Sequence, residues 1–121
     1  MRKLYMMAAA LLLGGCDTGS VPSAAMDQIE LAYLQGKVFN EQPVECVSQS
    51  VNGRAYVACR PFGAKAVAHL WLYDGERLHA LNGPARGAYE SRLRGKPGLS
   101  LLPLEVATAT DTAAVFDAFT R

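Results

Sequence analysis

Val44-Glu-Cys-Val-Ser-Gln-Ser-Val-Asn-Gly-Arg-Ala-Tyr-Val-Ala-Cys-Arg60 is the stretch on which the fold turns. Two β-prone runs flank Asn52-Gly53, the strongest short signal for a hairpin with a two-residue type I′ turn. That turn pairs Val51 with Arg54, Gln49 with Tyr56, Val47 with Ala58 and Cys46 with Cys59. Counting outward from the turn, Val51 and Arg54 form a hydrogen-bonded pair. Cys46 and Cys59 therefore form a non-hydrogen-bonded pair, where side chains approach most closely and a disulfide closes. The same register sets Glu45 opposite Arg60, an attractive cross-strand pair. A slip of one residue loses all three features. The disulfide is structural in this reading, because no C-x-x-C and no thiolate-stabilising neighbour accompanies it.

Working outward toward the C-terminus, Pro61-Phe62-Gly63 turns the chain, and residues 66–73 read as a third strand. Asp74-Gly75 is a second hairpin signal, leading into a strand over 76–82. A two-residue turn there pairs Tyr73 with Glu76 and Trp71 with Leu78. Both faces of this hairpin carry large apolar residues, which puts it nearer the centre of the sheet. His69 and His79 fall on opposite faces, so they cannot share a metal ion, and no third ligand stands nearby. No metal and no cofactor is expected.

Residues 82–98 begin with Asn82-Gly83-Pro84 and end with Lys96-Pro97-Gly98, both turn signals. A structureless loop of that length is uncommon in a small domain, so a helix is expected around residues 85–93. Arg86, Arg92, Arg94 and Lys96 concentrate here with Glu90 as the only acid. They read as a solvated loop, with anionic lipid headgroups or an acidic protein partner as the functional alternatives. Residues 99–107 read as a final strand with Pro103 at an edge or bulge. Thr110 or Asp111 caps a C-terminal helix whose apolar stripe is Val115, Phe116 and Phe119.

Toward the N-terminus, Ser23 is the expected cap of a helix over 24–35, stopped by Gly36. Met26, Ile29 and Tyr33 mark its buried face, and Leu31 interrupts the polar one. This face packs on the domain, with a partner-binding helix as the sharper alternative. The whole mature chain reads as α+β: a small antiparallel β-meander of four to five strands with an N-terminal and a C-terminal helix and one disulfide.

The first 16 residues have a different grammar. Arg2 and Lys3 precede ten uncharged residues, 4–13, which is the length of a secretory apolar run and too short for the ~20 residues that span a bilayer. Leu13-Gly14-Gly15-Cys16 then resembles the lipobox of bacterial lipoproteins. The resemblance covers these residues only. It implies a signal peptide over 1–15 and lipidation of Cys16. It further implies a tether over 16–22 and a single periplasm-facing domain over 23–121, held at the cell membrane by covalent lipid. Asp17, next to the lipidated cysteine, resembles the signal that keeps enteric lipoproteins in the inner membrane. With Cys16 committed to lipid, Cys46 and Cys59 remain as a pair in an oxidising compartment.

Composition narrows the function class. The chain has 12 basic and 11 acidic residues, and removing Arg2 and Lys3 with the leader takes the mature domain to a net −1. Near-neutrality gives no basis for binding nucleic acid. No G-x-S-x-G, G-x-G-x-x-G, phosphate loop or H-E-x-x-H occurs. The expectation is a non-enzymatic envelope lipoprotein that binds an envelope protein as an assembly or accessory module. The alternative is a lipid-anchored inhibitor that plugs an envelope or cell-wall hydrolase with its disulfide-braced hairpin.

Overall fold

The computed structural model describes residues 20–63 and 67–120. The leader, Cys16 and Asp17 lie outside the described residues. The elements in chain order are α1 (Ser23–Gln35), β1 (Val44–Val51), β2 (Arg54–Pro61), β3 (His69–Tyr73) and β4 (Leu78–Ala80). There follow α2 (Gly83–Ala88), running on into a π-helical turn over Tyr89–Leu93, then β5 (Leu99–Leu101), α3 (Leu104–Ala109) and α4 (Thr112–Phe119). One five-stranded sheet runs in the order β1-β2-β3-β4-β5. The fold is α+β, with a mostly antiparallel sheet and the Cys46–Cys59 disulfide.

The first hairpin has the expected register in full, from Val51 opposite Arg54 to Cys46 opposite Cys59. Asn52 (φ 51°) and Gly53 (φ 79°) both occupy the left-handed region, as a type I′ turn requires. The two cysteine Cα atoms are 4.1 Å apart, the close approach of a non-hydrogen-bonded pair. Glu45 does sit opposite Arg60, but their side chains form no ion pair; a hydrogen-bonded pair holds side chains further apart.

The second hairpin is displaced. Tyr73 pairs with Leu78 and Trp71 with Ala80, two residues further along than a tight Asp74-Gly75 turn would set. The cause is the Asp74 carboxylate. Its Oδ1 accepts from the amides of Glu76 (2.8 Å) and Arg77 (2.7 Å), closing a four-residue loop over 74–77. A two-residue slip keeps every side chain on its expected face, so His69 and His79 remain on opposite faces.

The expected strand over 99–107 stops early. Only Leu99–Leu101 is extended, and it pairs with β4 in parallel. The pure antiparallel meander is thus corrected by one parallel edge. A parallel neighbour needs a crossover of about a dozen residues or more, and the helix over 83–93 supplies it. After Leu102, Pro103 opens α3 in place of a bulge. Leu104 and Val106 alternate like strand residues, yet both are exposed, while Thr108 and Thr110 hydroxyls bond back to the carbonyls of Leu104 and Val106 one turn earlier.

Helices cover both faces of the sheet. On one, Ile29, Ala32 and Tyr33 of α1 and Ala85, Ala88 and Leu93 of the crossover helix bury Val57, Trp71, Leu78, Ala80, Leu99 and the disulfide. On the other, Ala107 of α3 and Val115 of α4, with Phe116 and Phe119, cover Tyr56, Ala58, Leu70, Leu72 and Leu81. The domain therefore has three layers, with the sheet between two sets of helices.

Cap details differ from expectation in instructive ways. Ser23 is the first helical residue of α1, behind Pro22, and makes no side-chain cap. Gly36 ends the helix with an ordinary φ of −79°. Lys37 (φ 52°) takes the left-handed position, with Val38 N bonding Tyr33 O and Lys37 N bonding Leu34 O as in a Schellman motif. Gly36 is needed for proximity instead: a Cβ there would stand 3.1 Å from the Arg92 carbonyl and 3.2 Å from that of Ala32. Asp111 caps α4 by accepting from Ala114 N at 3.1 Å.

Candidate interaction surface

β1 is an edge strand, and its chemistry follows from the register. Residues that pair without hydrogen bonds to β2 point their amide and carbonyl outward. In β1 these are Val44, Cys46, Ser48 and Ser50. The outward amide of Cys46 is taken by Glu30 of α1, whose Oε2 lies 3.2 Å away. Beyond it, Val47, Ser48, Gln49 and Ser50 are all exposed. Edge strands are normally blunted by Lys, Pro, a bulge or a covering element. Among the described residues none of these interrupts the outward groups of Ser48 and Ser50, and the pairing with β2 runs without a bulge over the whole strand, while Val51 packs inward against the core beneath α4. The Cys46–Cys59 bond staples this edge to the sheet, so an incoming strand would meet a fixed template. The opposite edge is only the three residues of β5, followed closely by Pro103.

The basic residues singled out from the sequence contact several parts of the domain. Arg86 Nη1 donates to the Leu102 carbonyl, on the side of the crossover helix that faces α3. Arg92 Nη1 donates to the Gly36 carbonyl at 3.3 Å, and Lys96 Nζ to Gln35 Oε1 at 3.4 Å, so both close over the C-terminal end of α1. Cations suit that end of a helix dipole. Arg94 lies over the Tyr89 ring, 5.8 Å from its centroid. Each of the four has an intramolecular partner.

A polar chain crosses the core beneath α1. Trp71 Nε1 donates to the Tyr33 hydroxyl at 2.9 Å, and that hydroxyl lies 2.8 Å from His69 Nδ1. The indole can only donate, so the Tyr33 hydroxyl accepts from it and shares a second hydrogen bond with His69 Nδ1. Burial pushes the Tyr33 phenol above its ordinary value, against the smaller effect of the Trp71 hydrogen bond, and lowers His69 to about 4. The imidazole is neutral at pH 7. Phe39 packs edge-on to it, with centroids 4.9 Å apart. Among the described residues no carboxylate, thiol or serine hydroxyl hydrogen-bonds the imidazole, and the arrangement pins α1 to β3. Tyr33 and Trp71 are 38 residues apart, and nothing local in the sequence announces their meeting.

His79, on the other face, holds Asp74 Oδ2 at 2.7 Å. The hydrogen bonds from Arg77 N and His79, then Glu76 N, draw Asp74 down to about 2. Among the described residues no group of three His, Cys, Asp or Glu side chains could hold a metal ion. None of the described helices is long and apolar enough to cross a membrane. No family model, curated protein or solved structure matches the chain.

Proposed function

We propose that the chain is a lipid-anchored envelope protein whose work is to bind another protein chain, without chemistry of its own, through the free edge of β1. The anchoring half of this reading rests on Leu13-Gly14-Gly15-Cys16 and the apolar run before it. The binding half is carried by one observation: a stapled, uncharged edge over residues 47–50, all exposed, on which no other described residue sits. An edge of this kind captures an extended segment by main-chain hydrogen bonds, and alternate side chains of the guest select it.

Capture from solubilised envelopes tests the reading. Ser48→Pro removes an outward amide that the β1–β2 ladder does not use, so the disulfide and the circular dichroism of the domain should persist while captured partner falls at least tenfold. Unchanged capture would sink the edge as the binding surface. Cys16→Ser should leave an uncleaved, unlipidated precursor; normal maturation would remove the anchor.

The inhibitor reading has its own supporting observation. The Asn52-Gly53 tip is exposed, fixed in a left-handed turn and braced by the disulfide, as insertion into an enzyme cleft demands. Near-stoichiometric inhibition of a cell-wall hydrolase by the full-length protein would favour it over the edge.

A further inference from the structure

The β1 edge has an internal complementarity that names its guest. From Cys46 to Gly53 the chain carries no charge, and the run is bounded by Glu45 at one end and Arg54 at the other. Neither side chain forms an ion pair among the described residues. A second β1 laid antiparallel on the first brings the acidic end of each copy toward the basic end of the other, twice. We propose that this edge pairs with the same edge of a second copy of this chain, joining two five-stranded sheets into one.

The register of that pairing follows from which groups point outward. Among the described residues Ser48 and Ser50 present free amides and carbonyls, while Cys46 is occupied by Glu30. A two-fold axis at Ser48 would need the Cys46 amide. An axis at Ser50 would draw Asn52, with its φ of 51°, into the ladder. An axis at Gln49 reaches them only beyond its four central bonds, where Cys46 would face the partner's Asn52. It pairs Ser48 with the partner's Ser50 and Ser50 with the partner's Ser48, forming four main-chain hydrogen bonds. It also sets Val47, 37 % exposed, against the partner's Val51 on one face, a β-branched contact of the kind that stabilises cross-strand pairs. Glu45 then faces the partner's Gly53 at the hairpin tip, with the partner's Arg54 one strand further in, opposite its Val51, within reach of a long side chain. Strand pairing over so few residues falls short of the ~1,000 Å² of a stable interface. The dimer is therefore reversible, and a shared membrane anchor favours it by raising the local concentration.

The inference rests on the edge being the binding surface, and register-specific cross-linking separates the two claims. In the Gln49-centred register, Gln49 faces its own copy in a non-hydrogen-bonded pair, the geometry that closes a disulfide. Val47 does not face Val47. Gln49→Cys in the full-length chain, oxidised mildly in envelope fractions, should run as a reducible dimer, with Val47→Cys at least tenfold less cross-linked. Gln49 is on the sheet face opposite the native disulfide, and mass spectrometry of the Cys46–Cys59 peptide verifies that pairing. A monomeric Gln49→Cys, or equal cross-linking of the two variants, overturns the self-pairing. If Gln49→Cys stays monomeric while Ser48→Pro still abolishes partner capture, the edge binds a different chain and only this inference falls. As a measurement free of new cysteines, sedimentation of the unmodified full-length chain in detergent should show a concentration-dependent dimer that Ser48→Pro removes. A monomer at every concentration overturns it equally.

Discussion

The two hairpins begin from nearly the same instruction and end differently. Asn52-Gly53 makes a two-residue turn with a ladder of eight paired positions behind it. Asp74-Gly75 makes a four-residue loop with three. Both pairs put glycine in the left-handed region, at φ 79° and 99°, but of the residues before them only Asn52 joins it there, at φ 51°. The side chain of the residue before glycine accounts for the difference. Asn52 makes no side-chain bond that opens its turn, whereas the Asp74 carboxylate gathers two loop amides and the His79 ring. A turn dipeptide thus proposes a register, and the bonds available to its first side chain decide it.

The hairpins also differ in what holds their strands once the turn is made, and the largest expected effect comes from removing the first one's staple. Cys46→Ala with Cys59→Ala opens a loop closed over a sequence separation of 13. It should cost roughly 3 kcal/mol in the chain-entropy model, read as a lower denaturation midpoint in urea. The register should survive, because Asn52-Gly53 sets it independently. Loss of the β1–β2 cross-strand contacts by nuclear magnetic resonance in the double variant would mean that the disulfide, and not the turn, fixes the register.

In the second hairpin Asn82 stands where a longer strand pair would have stood. Its Oδ1 accepts from Leu70 N (2.9 Å) and Ala85 N (3.2 Å), and its Nδ2 donates to the Ala68 carbonyl (2.9 Å). One side chain thereby completes the ladder beside β3 and caps α2. Asn82→Ala leaves two half-buried backbone groups without partners and removes a cap, which together should cost about 2–3 kcal/mol by thermal or urea unfolding. Asn82→Asp keeps the two acceptor bonds and should recover part of that loss. An alanine variant as stable as the parent would show that β4 needs no side-chain substitute for pairing.

How far each region could be read in advance follows the same division. Local chemistry was enough for the register of the first hairpin, for the extent and buried face of α1, and for the Asp111 cap and Val115-Phe116-Phe119 stripe of α4. It failed where one residue's role depended on a distant element. Leu104 and Val106 alternate as in a strand, but Pro103 ends the ladder and starts a helix. The parallel placement of β5 depends on the crossover helix, whose existence was legible and whose path was not. Arg86, Arg92 and Lys96 are close in sequence, yet their partners are Leu102, Gly36 and Gln35, which no spacing rule connects. The β1 edge had a signal that could have been used: an uncharged run between Glu45 and Arg54. It acquires meaning only once the strand is known to have no strand on its outer side among the described residues.

The smallest effect separates the two turns by pH. The Asp74 carboxyl is held near 2, below its ordinary 3.8. Its ionised form is therefore favoured in the folded state, and the stability it contributes is fully present above about pH 4 and lost as pH falls toward 2. Because the side chain is 45 % exposed, solvent screening keeps that contribution to about half a kcal/mol. Asp74→Asn should remove this acid-side slope while lowering stability at neutral pH by a similar amount. His69 supplies a second slope in a separate window. Burial depresses it to about 4, so the unfolded chain takes up the proton first, and stability falls as pH drops from about 6.5 to 4. Urea midpoints measured at pH 7, 5 and 3 in the parent and in Asp74→Asn distinguish the two groups. The variant should keep the loss between pH 7 and 5 and lose only the part below 4. If the lower part persists in Asp74→Asn, another carboxylate carries it, and the Asp74 loop is held by its backbone conformation instead of by its charge.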